Sequence, residues 1–415
     1  MAKKQRNSII AVLDIGSSKV VCFIAQFSLH NQIEVIGIGH NISQGIKAGR
    51  ITDIKAAETS IAQAVEAAEK MAGETIRKVH VCISPNNLIS QRVTSDLLVT
   101  GHEINDKDLN RLLFQAIDKF NDQEIEIIHS FAYDYILDGN RGIENPLGMY
   151  GNKLSADFHI ITTPAPHLLN LTSCIARCQL EVESFIPSSS ASGMACLTPD
   201  EMRLGATLIE FGGGCTSISV FNRGYMLYTD AVPIGSMHVT NDIARGLSTS
   251  FNNAERIKNL YGTTVMTSAD YDEPIEVPGT GTRDESEVTT IHRSLLVEII
   301  RARIEEIIDI IHQKLLASGM QGMGGNRIVI TGGGCQIAGM KEIVGHIMSR
   351  NVRVGYPLSI SGLADSTSGI AFTTPVGMLL NVTQSENKQA AASPSPANDS
   401  SPMRGLYQWF KENFG

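Results

Sequence analysis

Three short stretches carry the residue types that could do chemistry. The first is Asp14-Ile15-Gly16-Ser17-Ser18-Lys19, entered by the apolar run Ile9 to Leu13 and left by Val20 to Ala25. Both runs are rich in Ile and Val, which favours strands, so the stretch reads as a hairpin. Gly16 lets the backbone turn tightly and come close to a ligand. The amides and hydroxyls of Gly16, Ser17 and Ser18 then point outward together as an anion-binding nest. A carboxylate at the strand end would repel a bare phosphate, so Asp14 makes sense beside a hydrated Mg²⁺ bridging protein and phosphates. Lys19 either adds charge there or points to solvent. Taken alone, the stretch is equally readable as a Gly-Ser hairpin with an exposed Asp.

A second copy of this grammar follows half a chain later. Thr207 to Phe211 is an apolar run ending in Glu210-Phe211-Gly212-Gly213-Gly214-Cys215-Thr216-Ser217, after which Ile218 to Phe221 resumes. Strand, acid, glycines, hydroxyls and strand recur in that order. Two such hairpins suggest two related halves clamping one phosphate chain, with Gly212, Gly213, Gly214 and Thr216 as the opposing jaw. A third turn, Thr331-Gly332-Gly333-Gly334, follows the strand Arg327 to Ile330. Without side chains, Gly332, Gly333 and Gly334 leave room for a flat ring against the backbone, such as a nucleotide base.

These turns, in this order and spacing, resemble the actin and Hsp70-like ATPase superfamily. The surrounding residues resemble one branch of it, the FtsA family of bacterial cell-division proteins. The shared motifs include Arg141-Gly142-Ile143-Glu144-Asn145-Pro146-Leu147-Gly148, Asn253-Ala254-Glu255-Arg256-Ile257-Lys258 and Val354-Gly355-Tyr356-Pro357-Leu358. The resemblance spans roughly residues 8 to 380 plus the last dozen. It implies an α/β, actin-like (ribonuclease H-like) fold of two halves around a nucleotide cleft. It also implies ATP and Mg²⁺ as ligands, with ribose contacts from Glu255 and Lys258. These two lie i, i+3 on one helix face, where the plain reading is a surface ion pair.

The superfamily usually has Asp where this chain has Glu210, the candidate catalytic carboxylate. The extra methylene shifts the carboxylate by about one bond length, and misplacement of roughly 1 Å can lower a rate about a hundredfold. Binding survives such a change more easily than hydrolysis, so the expectation is weak turnover or none. Cys215 stands ahead of the hydroxyl residue, which leaves open a shift of that hydroxyl by one position. His167, at a helix start after Pro166, is either structural or a water-positioning group.

Composition bounds the remaining choices. A chain of 415 residues suffices for two or three domains. Its net charge of −9 argues against nucleic acid as a partner. Seven cysteines scattered through apolar runs suit a reducing cytosol. Cys174 and Cys178 lie within one helical turn but lack two further ligands at zinc spacing. The basic start, Met1 to Asn7, runs into a strand too short for a signal-peptide core, and no window reaches the ~18 apolar residues of a membrane span.

Along the chain, Thr52-Asp53 caps a helix to about Met71, and Lys78 to Ile83 reads as a strand. With 164–192 and about 352–380, residues 1–83 form the first α/β core. Residues 84–163 read as an inserted α+β domain, with short strands at Ser90–Arg92, Ile125–Tyr135 and Phe158–Thr162 and a helix from Asp106 to Phe120. Residues 193–222, with about 320–351, form the second core, and 223–319 its outer subdomain. Small-residue segments at 187–193 and 368–378 resemble the two helices that connect the halves. Residues 265–288 read as a loop or exposed hairpin. A helix from about Thr290 to Ala317 presents Ile300, Ile304, Ile307, Ile308 and Ile311 along one side. Residues 381–402 have no aromatic residue and little beyond Ala, Ser, Pro, Asn and Gln, as in a disordered linker.

The tail, 403–415, holds the only Trp. On a helix, Met403, Leu406, Tyr407, Phe410 and Phe414 share a face, with Trp409 at its boundary. Gly405 and the short length make this helix unstable in water, so it is expected to fold on lipid, with Leu406, Trp409, Phe410 and Phe414 as the membrane residues. A groove on another protein, or on this one, is the rival site. The resemblance implies self-assembly into filaments. It further implies tethering of the tubulin-like FtsZ, through 223–319, to the inner face of the cytoplasmic membrane at the division site, alongside other division proteins. A sugar- or acetate-kinase-like phosphotransferase on the same fold is the alternative. An Hsp70-like chaperone would need a β-rich domain where this chain has only a linker and tail.

Overall fold

The computed structural model describes residues 9–27, 33–120, 122, 124–266, 271–279 and 288–391, with side chains described to residue 384. The chain divides into two compact units. The first comprises Met1–Gln91, Asp122–His129 and His159–Asn381, and is built on two five-stranded sheets.

In the first sheet, β1 (Ile9–Ile15) and β2 (Lys19–Phe27) form an antiparallel hairpin, and β3 (Ile33–Ile42) pairs antiparallel to β2. A two-stranded ribbon, β4 (Ile46–Lys47) and β5 (Arg50–Ile51), leads to α1 (Ile54–Ala72). The Asp53 carboxylate accepts from the Lys55 and Ala56 amides at 3.0 and 3.1 Å, satisfying two free donors of the first turn. Gly73, at φ 68°, ends the helix in the left-handed region. The apolar stripe Ala57, Ile61, Ala64, Val65 and Ala68 is buried against β2 and β3. β6 (Lys78–Ile83) then joins parallel to β1.

Beyond it the chain enters β7 (Ile89–Leu98), α2 (Asp106–Ile117), β8 (Ile125–Leu137), β9 (Asn140–Ile143) and β10 (Lys153–Pro164), a four-stranded sheet in the order β7-β10-β8-β9 with one helix. The second unit takes Arg92–Asn121 and Ser130–Phe158 from this stretch. β7 and β10 are longer than the sequence suggested. Arg141, on β9, donates to Asp157 at 2.9 Å and Asp134 at 3.2 Å.

After α3 (Ala165–Arg177), β11 (Glu181–Pro187) completes the first sheet parallel to β6. Then α4 (Ser188–Cys196) and α5 (Pro199–Leu204) lead to the second sheet. Here β12 (Ala206–Phe211) and β13 (Thr216–Asn222) make the hairpin, and β14 (Tyr225–Val232) pairs antiparallel to β13. The outer segment holds α6 (Ser236–Gly246), α7 (Phe251–Tyr261), the hairpin β15 (Pro274–Pro278) and β16 (Val288–His292), and α8 (Arg293–Ala317). Helix α8 begins at Arg293 rather than Thr290, because the β-branched run Val288 to Ile291 pairs with β15 instead. Ile300, Ile304, Ile307, Ile308 and Ile311 are all buried.

Next, β17 (Arg327–Thr331) joins parallel to β12. After α9 (Met340–Met348), β18 (Asn351–Val354) joins parallel to β17. The first sheet runs β3-β2-β1-β6-β11 and the second β14-β13-β12-β17-β18. Both are a hairpin plus one antiparallel strand on one side and two parallel strands on the other, so one topology is used twice. The last helix, α10 (Thr373–Ala391), carries on through 381–391, which corrects the reading of these residues as disordered linker. Residues 392–402 and the tail, with Leu406, Trp409, Phe410 and Phe414, lie outside the described residues.

Candidate functional site

The β1–β2 hairpin delivers its acid where the strand ends. The Gly16 amide donates to the Lys19 carbonyl at 3.0 Å, closing the turn, and Asp14 sits opposite Val21. Desolvation in the cleft pushes the Asp14 carboxyl up to about 6, opposed by the Lys19 charge and by a hydrogen bond from the Cys82 thiol on β6. Lys19 does not point to solvent. Its Nζ donates to the Ala371 carbonyl at 2.6 Å and lies 3.5 Å from the centre of the Phe372 ring. Desolvation lowers its pKa to about 8, with Asp14 pulling the other way. Ser17 Oγ accepts from the Gly49 amide at 3.2 Å.

The β12–β13 hairpin closes identically, Gly212 amide to Cys215 carbonyl at 3.0 Å, and places Glu210 opposite Ser217 as Asp14 is opposite Val21. Glu210 Oε1 accepts from the Thr374 hydroxyl at 2.7 Å, whereas the buried Oε2 has no hydrogen-bond partner. Desolvation raises the Glu210 carboxyl to about 7; the Thr374 bond opposes this and the Asp14 charge adds to it. The two turns face each other closely. A Cβ on Gly213 would lie 2.7 Å from Ser18 Cβ, and one on Gly214 would lie 2.4 Å from Ser17 Oγ.

The expectation for Thr216 is corrected. It is fully buried, its hydroxyl donates to the Ile234 carbonyl at 2.9 Å, and it does not line the cleft. Successive strand residues point to opposite faces, so Cys215 and Ser217 face the cleft and Thr216 faces the core. The hydroxyl is displaced by one position. His167, on α3, likewise stands away from the residues lining the cleft.

The third turn follows β17. Gly332 adopts φ 88°, and a Cβ there would meet the Phe211 carbonyl at 2.6 Å, so only glycine fits. Gly333 and Gly334 continue into a short 3₁₀ turn. From α7, Lys258 is buried and donates to Glu255 Oε2 at 2.6 Å and to Thr240 at 2.8 Å. The pair is thus a cleft-wall cluster rather than a surface ion pair.

Together these groups line one cleft of about 830 Å³. It contains Asp14, Gly16, Ser17, Ser18, Lys19, Glu210, Gly212, Gly213, Gly214, Glu255, Lys258, Gly332, Gly333 and Gly334. Sequence reasoning missed Ser84, whose hydroxyl lies 3.2 Å from the Cys215 sulfur, and Thr373 and Thr374 at the start of α10. Only the Ser-Thr-rich text around 366–374 hinted at polar groups there. Two desolvated carboxyls, one with an unpartnered oxygen, suit a hard divalent cation. The amide-rich turns and the Lys19 ammonium suit phosphate.

Comparison with known proteins agrees with this arrangement. Residues 207–377 match the family described as "FtsA: Cell division protein FtsA", and residues 86–162 match "SHS2 domain inserted in FTSA". Among curated proteins, the chain is 39% identical to the cell division protein FtsA of Agrobacterium fabrum, covering 99% of this chain and 96% of the relative. It is 34% identical to that of Pseudomonas aeruginosa and 28% to that of Escherichia coli K12, with full coverage of both chains in each case. Among solved structures, "PilM-PilN type IV pilus biogenesis complex" has a TM-score of 0.65 at 12% identity, covering 90% of this chain and 98% of that one. "Crystal structure of MreB5 of Spiroplasma citri bound to ADP" has a TM-score of 0.53 at 12% identity, covering 91% and 98%. At such identities these two establish the actin-like fold alone. The sugar- or acetate-kinase alternative finds no support in these comparisons. Duplicated sheets, an inserted SHS2 domain and full-length relatives agree: the chain belongs to the FtsA family of actin-like cell division proteins.

Proposed function

We propose that this chain binds ATP with Mg²⁺ between its two phosphate hairpins, assembles into actin-like filaments, and tethers FtsZ polymers to the inner face of the cytoplasmic membrane. The observation that carries the reading is the duplicated hairpin, with Asp14 and Glu210 at matching register positions in one cleft. The ADP in the description of the Spiroplasma citri neighbour supports a nucleotide in this fold.

Asp14 would hold Mg²⁺ through water, and the cation would offset the phosphate charge. The turns at 16–18 and 212–214 offer amides, and Ser17 and Ser18 offer hydroxyls. Gly332 to Gly334 leave a flat surface for the adenine. Lys258 and Glu255 Oε2 are engaged with each other and with Thr240, so Glu255 Oε1, held only by a 3.4 Å bond from Asn259, is the atom left for ribose.

Contact with FtsZ is assigned to the outer subdomain, 223–319, and contacts with neighbouring subunits and other division proteins to the inserted domain. No helix among the described residues is long and apolar enough to cross a membrane. Membrane attachment therefore falls to the tail. Arg404 and Lys411 against Glu412 leave it only weakly basic, so burial of Trp409, Phe410 and Phe414 must dominate.

Co-sedimentation of the full chain with anionic lipid vesicles, in the presence of Mg-ATP, tests this. Wild type should pellet with lipid, and the Trp409→Glu, Phe410→Glu double variant should stay in the supernatant with unchanged ATP affinity. Equal pelleting of the two would place the anchor elsewhere.

A further inference from the structure

All three glycine turns reach one short segment, Ile370 to Thr374, at the start of α10. Lys19 of the first hairpin donates to the Ala371 carbonyl, and Thr331, just before the third turn, shares a 2.9 Å hydrogen bond with Thr373. Glu210 of the second hairpin accepts from Thr374. Thr374 also shares a 3.1 Å hydrogen bond with Ser192 of α4, both of them buried. One turn on, the two helices come into backbone contact, since a Cβ on Gly377 of α10 would lie 1.7 Å from the Ala191 carbonyl of α4.

We infer that Thr374 is a positioning residue for Glu210, and that this chain carries Glu there because a side chain of that length reaches α10. Asp14, at the matching register position, lies by the Cys82 thiol of the adjacent strand β6 and does not reach α10 through any side-chain hydrogen bond among the described residues. Glu210 instead accepts from Thr374, on a helix 164 residues away in sequence, with Ser192 and Ser188 of α4 also beside its carboxyl. The Thr374 hydroxyl has one proton, and the carboxylate can only accept it. The chain of bonds therefore runs Ser192 to Thr374 to Glu210, fixing Oε1. That leaves Oε2, which has no partner, as the oxygen available to the nucleotide's cation and its water. The extra methylene is then a means of orientation rather than a misplacement. An Asp here would be too short for the Thr374 hydroxyl, which would keep only its bond to Ser192, and the desolvated carboxylate would lose that donor.

This inference rests on the ATP reading of the cleft, and one set of titrations separates the two. Mg-ATP is titrated into the full chain as wild type, Thr374→Val, Thr374→Ser, Glu210→Asp and the Thr374→Val, Glu210→Asp double variant. Thermal unfolding of each is recorded without nucleotide. Thr374→Val and Glu210→Asp should each weaken binding roughly tenfold, as for one lost hydrogen bond to a charged group. The double variant should be no weaker than either single one, and Thr374→Ser should stay within about threefold of wild type because it keeps the donor. Wild-type affinity in Thr374→Val, losses that add in the double variant, or a Thr374→Ser as weak as Thr374→Val would overturn the positioning role. So would tighter binding by Glu210→Asp. A wild type that binds no Mg-ATP would instead remove the nucleotide reading itself, and this role with it.

Discussion

The two phosphate hairpins share a closing bond and a register yet carry different side chains. In the first, Ser17, Ser18 and Lys19 bring hydroxyls and an ammonium. In the second, Gly213, Gly214 and Cys215 stand at the matching positions and bring almost nothing but backbone. The serines occupy the space that the glycines leave, which is why the second turn could not take the first one's serines without collision. A duplicated motif has thus divided its work. The first hairpin supplies charge and hydrogen-bond donors from side chains, and the second supplies amides and room. The acids divide in the same way, Asp14 toward its own sheet and Glu210 toward α10.

The largest effect expected from this division is at Asp14. Asp14→Ala should weaken Mg-ATP binding about a hundredfold, the upper range for charge-assisted bonds, and should have little effect on ATP without Mg²⁺. Calorimetric titration with and without the cation reads both. Equal losses under the two conditions would mean that Asp14 acts on the fold and not through the metal.

A smaller effect is expected at Lys19, where charge and not backbone is at stake. Its pKa in the free protein is lowered to about 8, so the ammonium is present below that pH and is lost as pH rises through it. Phosphate requires the charged form. Wild-type affinity should therefore fall above pH 8, by up to roughly tenfold per unit. Lys19→Met should bind about tenfold more weakly at pH 7 and show no such fall, because the amides of the second hairpin do not titrate. Parallel pH profiles for the two proteins would break the assignment of charge to the first hairpin alone.

Much of this site was legible because hairpins announce themselves locally. Apolar runs of Ile and Val around a Gly-rich turn fix strand, turn and strand from neighbouring residues, and the repetition at 207–221 made the pairing of halves readable. The one-residue error at Thr216 came from counting hydroxyls along the chain instead of faces across the strand. With Glu210 facing the cleft, the alternation puts Ser217, and not Thr216, on the same side. The partners of Lys19 and Glu210 were illegible for a different reason. They sit 352 and 164 residues away, on a segment whose small residues resembled a helix connecting the halves but gave no sign of which side chains it would meet. The helical continuation through 381–391 was missed because Asn, Gln, Ser and Lys were read as linker composition. Gln, Glu, Lys and Ala are good helix formers, and no proline interrupts them before Pro394.

The most direct test of the clamp is a crystal structure of the full chain with Mg²⁺ and a non-hydrolysable ATP analogue. The phosphates should lie between the amides of residues 16–18 and those of 212–214, with the cation's water shell against Asp14 and the adenine beside Gly332 to Gly334. Phosphates bound outside the two hairpins, or touching only one of them, would contradict the account.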